Sequence, residues 1–198
     1  MTAYYSDDRR FTDYIHNNLA LPKIYEPLGW SEVHFDPKFA DRIDRDEGID
    51  YVFKKGEEYF AVQERFRAIQ YQNYNDFTIR YRRDRNYHAD RVESEFYKID
   101  ANYFTYGITN CDKNVLSRCT SFIKFAIIKL DMVYGLINQG LIRIENNQMD
   151  ECYILNEKMI CPVKYNRDRS SSFVPIDIKL LAKHFGRELI LSQKGYYE

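Results

Sequence analysis

Residues Gly48 to Arg67, GIDYVFKKGEEYFAVQERFR, constrain the fold more than any other stretch of this chain. Ile49, Tyr51, Val52 and Phe53 give a first segment β-branched and aromatic content, and Tyr59 to Val62 do the same for a second. Between them Lys54-Lys55-Gly56-Glu57 is polar and supplies a glycine for positive φ, so the pattern predicts two strands around a tight turn. With Gly56-Glu57 as the turn, Lys55 opposes Glu58 and Asp50 opposes Gln63, so Asp50, Gln63 and Arg65 project from one face. A three-residue loop or a bulge shifts the register by one, and Asp50 then shares its face with Glu64. In both registers an acid on one strand faces a second oxygen acceptor on the other.

This arrangement resembles the PD-(D/E)xK nuclease superfamily, in the version that begins Gly-x-Asp and ends Gln-x-Lys, as in Mrr-like restriction nucleases and their resolvase relatives. The resemblance covers about 60 residues, from Gly48 to Asn110. It implies a restriction-endonuclease-like α/β fold, with a mixed central sheet flanked by helices, and Mg²⁺-dependent (or Mn²⁺-dependent) hydrolysis of DNA phosphodiester bonds. Carried over by position, Asp50 is the first acid and metal ligand, Gln63 the Gln of Q-x-K, and Arg65 stands where the family has Lys. Glu64 occupies the middle position and competes with Gln63 as second ligand, Gln63 by strand parity and Glu64 by its charge. The chemistry needs such groups because Mg²⁺ takes hard oxygen ligands and keeps several waters. A metal-bound water is a better nucleophile, and a fixed cation offsets the charge that develops on the phosphate. An arginine stabilises that charge but does not readily give up a proton.

The chain's net charge of −1 carries no global signal for nucleic acid, but the distribution is uneven. From Arg65 to Arg91 seven Arg face three Asp, a local balance of +4, interleaved with Tyr71, Tyr74, Phe77, Tyr81 and Tyr87. Guanidinium forks suit phosphate oxygens and tyrosines stack on unpaired bases, which makes Arg67, Arg80 and Arg82 candidates for contacts with a DNA backbone. A second reading keeps the sheet without the catalysis: a nucleic-acid-binding or assembly protein in which Arg65 and Glu64 mark a decayed site.

Around the hairpin the pattern is mixed α/β within one domain over 1–198, a nuclease-like core at about 40–110 and a C-terminal α/β extension over 111–198. Ser6 is placed to cap a helix to about Asn18 with Phe11, Tyr14 and Ile15 inward, and Pro22 and Pro27 bound a loop. A short helix fits Pro37 to Ile43. Asp76 to Arg82 alternates as a third strand, Asp90 to Ile99 reads as a helix, and Tyr103 to Thr109 returns as a strand, giving a parallel unit. Glu95 and Lys98 are read as a surface pair one turn apart. Further on, strands are expected at Ser121 to Lys129, Leu141 to Glu145, Cys152 to Leu155 and Met159 to Lys164. Helices are expected at Asp131 to Gln139 and Pro175 to Phe185, the second after a loop at Arg167 to Ser172.

Other chemistries lack their signatures: there is no phosphate-binding glycine loop, no G-x-S-x-G elbow and no H-E-x-x-H. Cys111, Cys119, Cys152 and Cys161 show no C-x-x-C pair and no zinc-like spacing with His, so they read as structural thiols in a reducing compartment. No apolar run approaches the ~20 residues that span a bilayer. The expected setting is the cytoplasm, with DNA as partner, no membrane, and a homodimer left open.

Overall fold

A computed structural model describes residues 3–84 and 93–198. The first helix, α1 (Ala3–Ile15), starts upstream of Ser6 and runs on as a wider π-helical segment, His16–Tyr25, and a 3-10 turn, Glu26–Leu28. The expected loop between Pro22 and Pro27 is therefore helical. Pro22 sits within the segment whose hydrogen bonding is already irregular, where a missing N–H costs little. Strand β1 (Ser31–Val33) follows, then α2 (Pro37–Glu47), longer at its end than the sequence pattern indicated. Asp36 caps α2 by accepting from Lys38 N at 3.0 Å, and Gly48 ends it at φ 63°, a conformation that favours glycine.

The hairpin forms as expected: β2 (Tyr51–Lys55) pairs with β3 (Glu58–Arg67) in a register that sets Tyr51 opposite Val62 and Lys55 opposite Glu58. Gly56 and Glu57 are thus the two turn residues. β3 then pairs in parallel with β5 (Tyr103–Thr109), and β5 pairs antiparallel with β6 (Phe122–Lys129). The connection from β3 to β5 carries β4 (Asp76–Arg83) and a single helical turn, α3 (Glu95–Lys98). Arg85, Tyr87, Arg91 and residues 90–92 of the expected helix lie outside the described residues.

The third expected strand, β4, does not enter the central sheet. It pairs antiparallel with β11 (Ser171–Asp177), itself paired with β10 (Lys164–Tyr165), in a second sheet of order β10-β11-β4. The central sheet has the order β1-β2-β3-β5-β6-β12, closed by β12 (Ile190–Lys194), a strand the sequence reading missed. Helix α4 (Leu130–Asn138) follows β6. A small third sheet joins β7 (Ile142–Glu145), β9 (Lys158–Pro162) and β8 (Tyr153–Leu155). The last helix, α5 (Ile178–Phe185), starts at Asp177, whose carboxylate accepts from Leu180 N at 2.7 Å, so Pro175 belongs to β11 and not to the helix. β10 reaches only Ser172 and Phe173, which leaves β11 an edge at Pro175, where proline is tolerated.

The alternation of strand side chains splits the core in two. On one face Val62, Phe66, Phe53 and Ile127 pack with Phe11, Ile15, Tyr25 and Trp30 of the helical N-terminus. On the other face Phe104, Tyr106, Ile108 and Ile128 pack against Phe77, Ile79, Val174 and Ile176 of the second sheet and Val133 and Leu181 of α4 and α5. Gly107 lies where a Cβ would meet Phe122 Cε1 at 2.7 Å, so the strand needs glycine to pass under that ring. Cys111 and Cys119 join in a disulfide with Cα atoms 5.0 Å apart, which corrects the reading of four separate thiols. Among the described residues no helix is long and apolar enough to cross a membrane.

Candidate active site

The two-residue turn puts Asp50 and Gln63 side by side on the face of the hairpin that looks toward β4. Gln63 Nε2 donates to Asp50 Oδ2 at 2.8 Å and the Glu64 backbone N–H donates to the same oxygen at 2.7 Å. One carboxylate oxygen is thereby fixed by two donors. Among the described residues Gln63 Oε1 is buried and has no hydrogen-bond partner, an acceptor that calls for a donor or a cation. Burial, and next the charge of Asp44, raise the proton affinity of Asp50 well above the usual carboxylate range. Glu64 and Glu95 add to this, and the Glu64 N–H opposes it.

Arg65 projects from the same face. Its Nη1 donates to the Thr78 carbonyl of β4 at 2.7 Å and its Nη2 to Glu95 Oε2 at 2.5 Å. Glu95 is buried and also accepts from Arg80 N at 3.3 Å, so it ties β3, β4 and α3 together. The expected surface pair of Glu95 with Lys98 is not formed. Lys98 Nζ instead donates to the carbonyls of Asp44 and Arg45, at the end of α2. The second Glu95 oxygen and the Ser94 hydroxyl are buried without partners among the described residues, on the same side of the fold as Gln63 Oε1.

These groups line a cleft of about 970 Å³ between α2, the hairpin, β4 and α3. Its walls differ in net charge: Asp41, Asp44 and Asp46 outnumber Arg45 on the α2 side, and Arg65, Arg80, Arg83 and Lys98 outnumber Glu93 and Glu95 on the side of β3, β4 and α3. Arg80 touches solvent, but the surrounding protein and the like charge of Arg65 lower its proton affinity, which an anion in the cleft would reverse. Arg67 points along the same face, donating to Thr78 Oγ1 at 3.1 Å and lying 5.4 Å from the Tyr71 ring centroid. Arg82 is turned away, stacked over Tyr81 and Tyr97 at 5.3 and 5.6 Å and donating to Tyr97 Oη at 3.2 Å.

Glu64 is directed to the opposite face. Its carboxylate takes Tyr25 Oη at 2.5 Å and His16 Nδ1 at 3.0 Å, while His16 Nε2 meets Glu32 at 3.4 Å and the imidazole stacks on Tyr51 with centroids 3.6 Å apart. The structure thus brings Asp50, Gln63 and Arg65 together and separates the Glu64 carboxylate from them. Burial works against a charged His16, but the Glu64 and Glu32 carboxylates outweigh it and push the imidazolium up to about 9. Neither His16 nor Tyr25 was found from the sequence. The one available signal was the parity of Glu64, which demands a buried partner on the far face once the turn holds two residues.

The oxygen donors present suit a hard cation. Asp50 offers a carboxylate whose own surroundings disfavour its negative charge, and Gln63 offers an unpaired amide oxygen beside it. Among the described residues no cluster of three or more His, Cys, Asp or Glu is grouped to hold a metal, so the remaining positions would fall to water, backbone or substrate. No family model, curated protein or solved structure matches the chain.

Proposed function

We propose that the cleft cleaves DNA phosphodiester bonds with Mg²⁺ or Mn²⁺, on a sheet of restriction-endonuclease-like type. The observation that carries the reading is Gln63 Oε1, without a partner among the described residues, beside the buried Asp50 carboxylate and at the edge of a cleft whose far wall carries Arg65, Arg80 and Arg83. Asp50 and Gln63 would hold the cation, and Gln63 takes the position that the sequence left shared with Glu64. When bound, the cation would supply an activated water and neutralise charge on the scissile phosphate. Arg65 would face that phosphate with a guanidinium held by Glu95 and Thr78, so little reorganisation is needed as negative charge builds. Arg80 and Arg67 would fix the neighbouring backbone. Glu64 supports the site from behind: its backbone N–H aims the Asp50 carboxylate while its side chain anchors the strand through His16 and Tyr25. The reading takes DNA as the partner. The test is nicking of supercoiled plasmid in Mg²⁺ together with calorimetric titration of Mn²⁺. Asp50→Ala is expected to abolish both, and equal nicking by the variant and the parent protein would refute the assignment.

A further inference from the structure

Phe35, which lines the cleft, and its neighbour Phe39 are left in water, 42% and 39% exposed, where a fold of this size has ample core to bury them. Phe35 precedes the cap residue Asp36 and Phe39 sits in the first turn of α2, with ring centroids 5.3 Å apart and planes at 53°. One turn further the Arg42 guanidinium lies 5.0 Å from the Phe39 centroid. Contact between the two rings helps fix the entry of the helix, as a hydrophobic staple does. The Asp36 cap and Pro37 already serve that purpose, however, and both rings remain exposed.

We infer that Phe35, Phe39 and Arg42 form a stacking platform for an unpaired nucleobase, so that the substrate of this cleft is DNA with single-stranded character. The inference rests on the nuclease reading above, since Phe35 lines the same cleft as Asp50 and Arg65. In a duplex the faces of the bases are covered by their neighbours, and an exposed aromatic pair finds only phosphates and groove edges. Unpaired bases offer free π-faces to phenylalanine and arginine alike. The charge of the cleft favours the same substrate. One phosphate backbone would lie along Arg65, Arg80 and Arg83, which outnumber Glu93 and Glu95 there, but the second backbone of a duplex would meet the α2 wall, where Asp41, Asp44 and Asp46 outnumber Arg45. A single strand lays its backbone on the basic wall and turns its bases toward the aromatic rim.

Fluorescence anisotropy in EDTA isolates this from cleavage, with three probes of equal length: a single-stranded oligonucleotide, its blunt duplex, and the same strand carrying abasic sugars. The parent protein is expected to bind the single strand about fivefold or more tighter than either other probe, and Phe35→Ala/Phe39→Ala to lose that preference. Equal binding of the basic and abasic strands would overturn the inference while leaving phosphate recognition, and the nuclease reading, intact. Failure to bind any probe would overturn the platform, and plasmid nicking in Mg²⁺ then decides the nuclease reading separately. A double variant that keeps its preference but sediments as a smaller species would overturn the platform by assigning the rim to a contact between copies.

Discussion

The His16 network makes the fold sensitive to pH in a defined window. Both ring nitrogens face carboxylates, Glu64 at 3.0 Å and Glu32 at 3.4 Å, and only the doubly protonated ring donates to both. The imidazolium persists to about pH 9 in the folded chain against an ordinary value of 6.5. A folded-state value above the unfolded one means that the stabilisation is complete below pH 6.5 and lost as pH rises through about 9. The gap between 6.5 and about 9 corresponds to about 3 kcal/mol. Tyr25 and Tyr51, which pack on the same ring, stay neutral through the window because burial, and then Glu64, raise them well above it. His34, which meets Glu32 at 3.3 Å from the exposed side, and the free cysteines Cys152 and Cys161 are present in both proteins and so drop out of a comparison. Urea unfolding of the parent and His16→Gln proteins at about pH 6 and about pH 9.5 is therefore expected to show the parent's advantage shrinking by about 3 kcal/mol. A difference that stays flat to within about 0.5 kcal/mol would show that the ring is neutral in the fold and the reasoning wrong.

Three further outcomes follow from the same geometry. Glu64→Gln leaves His16 short of a buried counter-charge and is expected to cost about 3–5 kcal/mol in denaturant unfolding, while Mn²⁺ titration gives the parent affinity; lost affinity in a folded variant would return Glu64 to the metal. Gln63→Ala is expected to weaken Mn²⁺ binding with little effect on unfolding, which calorimetry and urea titration read separately. Gly107→Ala would drive a methyl into the Phe122 ring and is expected to destabilise by about 1–3 kcal/mol, measured by thermal or urea unfolding.

The hairpin was legible because its determinants are local: glycine in the turn, β-branched and aromatic flanks, and a period of two that fixes which side chains share a face. The same parity placed Asp50 with Gln63 and turned Glu64 away. What Glu64 turns toward was not legible, since His16 and Tyr25 lie 48 and 39 residues away, His16 near the end of the expected helix and Tyr25 in the stretch whose prolines read as a loop. Glu95 was misread for a related reason. Its spacing from Lys98 is that of a surface pair, but Arg65 competes for it from 30 residues upstream in a less hydrated setting, and wins. The placement of β4 illustrates the limit of periodicity: alternation gives a strand with one polar face but does not say which sheet receives it. Strand β12 escaped because five residues interrupted by a bulge offer too little alternation to register.

The pairing of β4 with β11 has a consequence for how the molecule is made. Arg80 and the Thr78 carbonyl that holds Arg65 sit on a strand whose partner in the second sheet is Ser171–Asp177, about a hundred residues further along the chain. A nascent polypeptide that has emerged only as far as residue 110 owns every motif residue yet lacks the strand that braces the arginine wall. The cleft is thus expected to close late in synthesis, after α5 has left the ribosome, and a truncated product would carry Asp50 and Arg65 without the surface that sets them against one another.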